Sequence, residues 1–148
     1  DDASLHEESS RLEGQDADGQ PRKLMIVESD HKMQDVFREL FKKQGYRVLV
    51  TNDPERLFQR INDDARAFDA LLISSGQLGE RALEAFNKLA QDKRTSQLPT
   101  VLLLGESHAA LARDAAAGPR RLVAQMPLKS RELRGAILKA LNGRAATA

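Results

Sequence analysis

From Arg22 onward, short continuous apolar runs alternate with stretches whose apolar residues recur at helical spacing, the signature of strands and helices in alternation. Leu24 to Val27 is the first run. Behind Ser29 or Asp30 as N-cap, the positions Met33, Val36, Phe37, Leu40 and Phe41 fall on one helical stripe that stops at Gly45. Tyr46 to Thr51 reads as a second strand, and Asp53-Pro54 sets a cap and a first-turn proline ahead of Leu57, Phe58 and Ile61. Ala70 to Ile73 is a third run, followed by a Ser-Ser-Gly loop and a helix that buries Leu83, Phe86, Leu89 and Ala90. Thr100 to Leu104 is a fourth strand. Ala109 to Ala117 predicts a brief fourth helix that Gly118-Pro119 ends. Leu122 to Gln125 is a fifth strand, and Ser130 is expected to cap a last helix with Leu133, Ile137 and Leu141 in its stripe.

Strands that are apolar on both faces belong in a parallel sheet covered by helices on each side. Right-handed crossovers leave few topologies, and a five-stranded doubly wound sheet in the order 2-1-3-4-5 is the most economical. In such sheets ligands sit at the carboxyl ends of the strands, so chemistry is to be sought there.

Composition narrows the picture. The chain has 148 residues, 41% hydrophobic and 30% charged, with no apolar run near the length needed to span a bilayer. With no cysteine, a disulfide framework, a thiolate metal site and a cysteine nucleophile are all excluded, which fits a reducing cytoplasm. The N-terminus is acidic and polar rather than basic and then apolar, so it does not read as a secretory signal. Residues 1–21 carry seven acids against the single base Arg11, and have too little apolar surface to offset the entropy of ordering. They are expected to form a disordered acidic linker or tail, as if cut from a longer protein. The domain proper is expected at 22–142, with a short tail at 143–148. Residues 105–148 carry eight bases against three acids. That asymmetry outweighs the formal net charge of +1.

The strand ends carry a family resemblance. The first strand ends Val27-Glu28-Ser29-Asp30, the third is preceded by Phe68-Asp69 and ends at Ser74, the fourth ends Leu104-Gly105, and the fifth runs to Met126-Pro127. In this order the landmarks resemble those of response-regulator receiver domains over roughly residues 22–142, which implies a flavodoxin-like three-layer sandwich of five β-α units. In that family an acidic pair at the first strand helps hold magnesium, an aspartate at the third accepts a phosphoryl group, a Thr or Ser ends the fourth, and Lys-Pro ends the fifth. Here Ser29 replaces the second acid, Ser74 the acceptor, Leu104 the hydroxyl and Met126 the lysine. Val123 stands where a reporter aromatic is usual. Phosphoryl transfer needs a nucleophile, a divalent cation and fixed groups to hold the product. The resemblance therefore implies a receiver-like module without that chemistry, a vestigial pocket of Glu28, Ser29, Asp30, Ser74, Leu104, Met126 and Pro127, with no catalytic residue, metal or cofactor. A receiver serving a phosphorelay through another residue is the rival reading.

Other chemistry is weakly supported. Ser74 with Glu28 and His31 or His108 would complete a serine, histidine and acid set, but Leu72-Ile73-Ser74-Ser75-Gly76 lacks the first glycine of a nucleophile elbow. His31 and His108 read as exposed residues near helix starts rather than metal ligands. Ser29-Asp30-His31 offers acid where a phosphate cradle needs glycine or hydroxyls. The bases near the C-terminus lack the aromatic platform of a nucleic-acid site. What remains is a surface. In the family, the fourth helix, fifth strand and fifth helix dock partners or form dimers, and here that face would hold Ala109, Ala112, Arg113, Arg120, Arg121, Val123, Lys129 and Arg131. A protein partner, or a second copy, is the expected ligand.

Overall fold

Alternation along each strand builds two cores at once in the computed structural model, which describes residues 11–144. The strands are β1 (Lys23–Val27), β2 (Arg47–Thr51), β3 (Ala70–Ser74), β4 (Thr100–Leu104) and β5 (Arg121–Gln125). They form one parallel sheet in the order β2-β1-β3-β4-β5. The helices are α1 (His31–Lys42), α2 (Pro54–Asp63), α3 (Glu80–Gln91) and α4 (Ser130–Asn142), with a 3-10 helix (Glu106–Asp114) between β4 and β5. Met25, Val27, Leu71, Ile73, Leu102 and Leu104 face one core with Leu57, Ile61, Phe86 and Leu89 of α2 and α3. Leu24, Ile26, Leu72, Val101 and Leu103 face the other with Phe37 and Phe41 of α1 and Leu133 and Ile137 of α4. This is the doubly wound, flavodoxin-like sandwich that the pattern implied.

Caps set most of the helix starts. Asp30 accepts from the Met33 N–H at 3.0 Å and Asp53 from the Glu55 N–H at 3.0 Å, each satisfying a donor that the first turn leaves free. At α4 the start lies one residue earlier than expected. Lys129 is the N-cap, and its N–H donates to the Glu132 carboxylate at 3.0 Å, so Ser130 is already helical.

Three expectations change in three dimensions. In α1, Val36 is exposed, and the inward position it was assigned belongs to Gln34, whose Nε2 donates to the Glu28 carbonyl at 2.6 Å. The segment between β4 and β5 is a 3-10 helix of nine residues with no buried residue. Only Leu111 and, just beyond it, Ala115 pack against the core there, so alanine's α-helical propensity is not reinforced by an anchored face. Side chains hold its two ends instead: His108 meets Ser75, and Asn87 donates to the Asp114 carbonyl and accepts from the Ala116 N–H.

The third change concerns residues 11–21, expected to belong to a linker. They lie against the domain. The Gly14 N–H donates to the Gln44 carbonyl at 2.7 Å, the Arg22 N–H donates to the Gly14 carbonyl at 2.8 Å, and Gln15 bridges to Pro21. Glu13 sits 3.1 Å from Arg134 of α4, and the Arg22 guanidinium donates to the Glu13 and Gln15 carbonyls. Gly14 is required by this approach, since a Cβ there would stand 2.5 Å from the Tyr46 nitrogen. The segment covers Tyr46, whose phenol is pushed up to about 12 by burial first and by Glu13 second. Composition misses this because a few backbone bonds and one glycine contact do the anchoring. The rest of the expected tail, residues 1–10, lies outside the described residues. At the other end Gly143 is held by the Arg120 side chain, which donates to its carbonyl at 2.7 Å; residues 145–148 lie outside the described residues.

Candidate functional site: the carboxyl ends of the strands

Parallel strands deliver Glu28, Ser74 and Leu104 to one edge of the sheet, as the count along each strand required. Glu28 is 2% exposed and Ser74 5%. The Ser74 hydroxyl donates to Glu28 Oε1 at 2.8 Å, and the Asp30 N–H donates to Oε2 at 3.0 Å. Both oxygens of a buried carboxylate are thereby engaged, which offsets much of its desolvation. The following loop closes over the pair. Gly76 has φ +29, and a Cβ on it would stand 2.7 Å from Glu28 Oε2, so no side chain fits there. The Gln77 N–H donates to the Ser29 hydroxyl at 3.3 Å, tying that loop to β1.

The other two strand ends join the cores. Leu104 is fully buried among Ile73, Leu102 and the α2–α3 side chains, and such burial contributes roughly 1.5–3 kcal/mol. Met126 is half-buried against the α1–α4 core, its N–H donates to the Leu104 carbonyl at 2.8 Å, and its peptide bond to the exposed Pro127 is cis. Neither an ammonium nor a hydroxyl is present at these positions to hold a phosphoryl group.

A receiver's magnesium does not fit what is here. Its donor set would start from Glu28, whose two oxygens already serve Ser74 and the Asp30 backbone, with the neutral hydroxyls of Ser29 and Ser74 as the remaining candidates. Asp30 is committed as the α1 cap. Among the described residues no group of three or more His, Asp or Glu side chains is placed to hold a metal ion.

The serine and histidine set weighed and set aside for Ser74 does not assemble. His31 is exposed at the start of α1, and His108 reaches Ser75 instead, Nδ1 to Oγ at 2.8 Å. Ser75 is fully buried and its Oγ accepts from the Gly105 N–H at 2.8 Å, so the hydroxyl is a strut between β3, β4 and the 3-10 helix. Ser75 was missed as a site residue. Alternation places it beyond the last strand position, and only the crossover to β4 brings Gly105 and His108 to it.

The proposed docking surface is divided by the structure. Ala109, Ala112, Arg113, Lys129 and Arg131 are exposed, while Val123 is half-buried beside Leu102 on β4. Arg120 is half-buried and occupied by the Gly143 and Gln97 carbonyls. Arg121 must be taken off the surface. It is 5% exposed, lies over the Phe86 ring at 4.0 Å, and donates to the Ala116 and Phe86 carbonyls. Burial pulls its guanidinium down to about 10. As the first residue of β5 it points to the α3 side of the sheet, which a basic run in sequence does not reveal.

No family model matches the chain, and no curated protein does. Solved structures do match. The receiver domain of a sensor histidine kinase from Pseudomonas aeruginosa PAO1, whose description includes magnesium coordinated in the active-site cleft, is 20% identical. The match covers 82% of this chain and 98% of that one, with a TM-score of 0.62. A response regulator receiver protein from Sinorhizobium medicae WSM419 is 14% identical over 82% of this chain and 94% of that one, with a TM-score of 0.65. A signal receiver domain of a histidine kinase from Syntrophus aciditrophicus is 12% identical over 86% and 98%, with a TM-score of 0.66. With the strand order, these likenesses establish that the chain has the receiver-domain fold.

Proposed function

We propose that this chain is a receiver-fold signalling module that works without phosphorylation, by binding a protein. The observation that carries the reading is the buried hydrogen bond from the Ser74 hydroxyl to Glu28. The group at the acceptor position is neutral and serves the carboxylate that a receiver would turn toward magnesium. A serine paired only with a carboxylate, a weak base, is a poor nucleophile, and the positions that would stabilise a phosphoryl product are held by Leu104 and Met126. The pocket is thus a structural element, and the surface carries the function. The exposed part of that surface combines the small side chains Ala109 and Ala112 with the bases Arg113, Lys129 and Arg131. Small side chains let a partner backbone come close, and the bases favour an acidic partner. A second copy docking through the same face is the alternative occupant.

The test is incubation with acetyl phosphate, and separately with beryllofluoride, in the presence of magnesium. The expected result is no covalent adduct by intact mass and no magnesium-dependent shift of the amides at 28–30 and 74–77. A stable adduct at any residue overturns the reading and restores the phosphorelay alternative. The docking part is checked by charge reversal at Arg113, Lys129 and Arg131, which should weaken a captured partner, or a dimer, without lowering thermal stability.

A further inference from the structure

β2 lies at an open edge of the sheet. Among the described residues it pairs only with β1, in unbroken register from Arg47 to Thr51. The Arg47 N–H donates to the Arg22 carbonyl and the Thr51 carbonyl accepts from the Glu28 N–H. In a parallel ladder the alternate residues Arg47, Leu49 and Thr51 therefore turn their backbones to β1. Val48 and Val50 turn theirs outward, two N–H groups and two carbonyls that are unpaired within the sheet. Such edges are ordinarily blunted by a proline, a bulge or a charge in mid-strand, and Val48-Leu49-Val50 has none of these. The opposite edge is protected at its start, where Gly118 folds back on β5 and exchanges both backbone hydrogen bonds with Arg121. Beside β2 lies instead a groove of about 520 Å³ between the strand and α2. Its helical wall presents Arg56 and Asp63, both exposed and in no ion pair among the described residues. Seven residues apart, they stand about 10 Å from each other along the helix, too far to bridge.

We propose that the β2 edge joins a second copy of this chain, edge to edge and antiparallel, about a two-fold axis through Leu49. That axis places Val48 opposite Val50 of the second copy, and Val50 opposite its Val48. These are the residues whose backbones face outward, so each pair exchanges both of its N–H···O bonds and the two sheets become one. Leu49 meets its own copy on the axis as the close, non-hydrogen-bonded pair, on the α2 side of the sheet. The helix selects a second copy over an unrelated strand. α2 runs back along β2, and its ten residues span the same roughly 15 Å as the five of the strand. Gln59, in the middle of α2, lines the groove with Leu49, so Arg56 lies toward the Thr51 end and Asp63 toward the Arg47 end. Reversal by the two-fold sets Arg56 of each copy against Asp63 of the other. Backbone register and charge are thus both self-complementary about one point, which is what a two-fold interface requires. The face with Ala109 and Arg113 lies toward the other edge of the sheet, so the dimer leaves it open to a protein partner.

The experiment follows the full chain over roughly 1 to 300 µM, the range in which modest interfaces associate. Sedimentation velocity should pass from monomer to dimer over that span, and deuterium exchange at the Val48 and Val50 amides should slow about tenfold or more as the dimer forms. Arg56→Asp and Asp63→Arg should each weaken the dimer about tenfold, because the two-fold repeats each like-charge contact, and the double swap should return it to within about threefold of the wild type. Val48→Pro removes an outward N–H while leaving the β1 ladder intact and should abolish dimerisation. If that variant does not fold, the charge swap decides. A chain that stays monomeric throughout leaves the edge to a strand of some other protein and overturns the proposal. So does a dimer whose Val48 and Val50 amides exchange at the monomer's rate, or one that the double swap leaves as weak as the single changes do.

Discussion

Placing an acid at Ser74 tests the reading of the strand-end pocket most directly. In Ser74→Asp the new carboxyl would lie where the serine oxygen now stands, 2.8 Å from Glu28 Oε1, beside a carboxylate only 2% exposed. Two carboxylates about 4 Å apart repel by about 4 kcal/mol at the effective dielectric of partly buried sites. Sharing a proton relieves that repulsion, and holding one on a carboxyl of ordinary pKa near 4 costs about 4 kcal/mol at pH 7, at 1.36 kcal/mol per unit. Both routes give a destabilisation of about 4 kcal/mol, a large part of a small domain's total stability. The folded pair binds a proton that the unfolded chain has lost, so its titration lies above the unfolded value. The penalty is therefore absent below about pH 4 and grows as pH rises toward neutrality. Urea unfolding of the wild type and Ser74→Asp at pH 7 and near pH 5 reads this as a gap in midpoint that narrows by more than half at the lower pH. Adding Glu28→Gln to Ser74→Asp removes one charge and should restore most of the loss. A Ser74→Asp protein as stable as the wild type at pH 7, or one whose deficit ignores both pH and Glu28→Gln, refutes the argument.

Other outcomes follow from neighbouring contacts. The double change Ser29→Asp with Ser74→Asp should remain unphosphorylated by acetyl phosphate with magnesium, because Leu104 and Met126 still lack the hydroxyl and the ammonium; intact mass checks it. Gly14→Ala places a Cβ within 2.7 Å of the Gln44 and Tyr46 backbones and should cost about 1–3 kcal/mol, read by thermal melting. Stability should fall between pH 10 and 12 by about 2 kcal/mol as the unfolded chain ionises a phenol that stays largely protonated at Tyr46 in the fold. Tyr46→Phe should remove that part of the alkaline loss. Ser75→Ala strands the Gly105 N–H and releases His108, so a loss of about 1–3 kcal/mol should come with faster hydrogen exchange across residues 105–114.

The sheet was legible in the sequence because its physics is local. Each strand is a run of apolar residues on both faces, and a parallel sheet wrapped by helices is the main solution that buries both. The strand ends were legible for the same reason, since counting along β1, β3 and β4 delivers Glu28, Ser74 and Leu104 to one edge without knowledge of any contact. What Ser74 does there was not legible. Its bond to Glu28 spans 46 positions and depends on the register of β1 against β3, and the Ser75 to His108 strut depends likewise on the neighbouring strand. Composition misled where a few long-range contacts outweigh an average. Residues 11–21 are acidic and polar, yet Gly14 fits under Tyr46 and Glu13 meets Arg134. Arg120 and Arg121 are adjacent and alike in sequence, but neighbouring residues of a strand face opposite sides of a sheet. Only the packing of α3 against β5 decides that Arg121 is buried on Phe86 while Arg120 reaches Gly143.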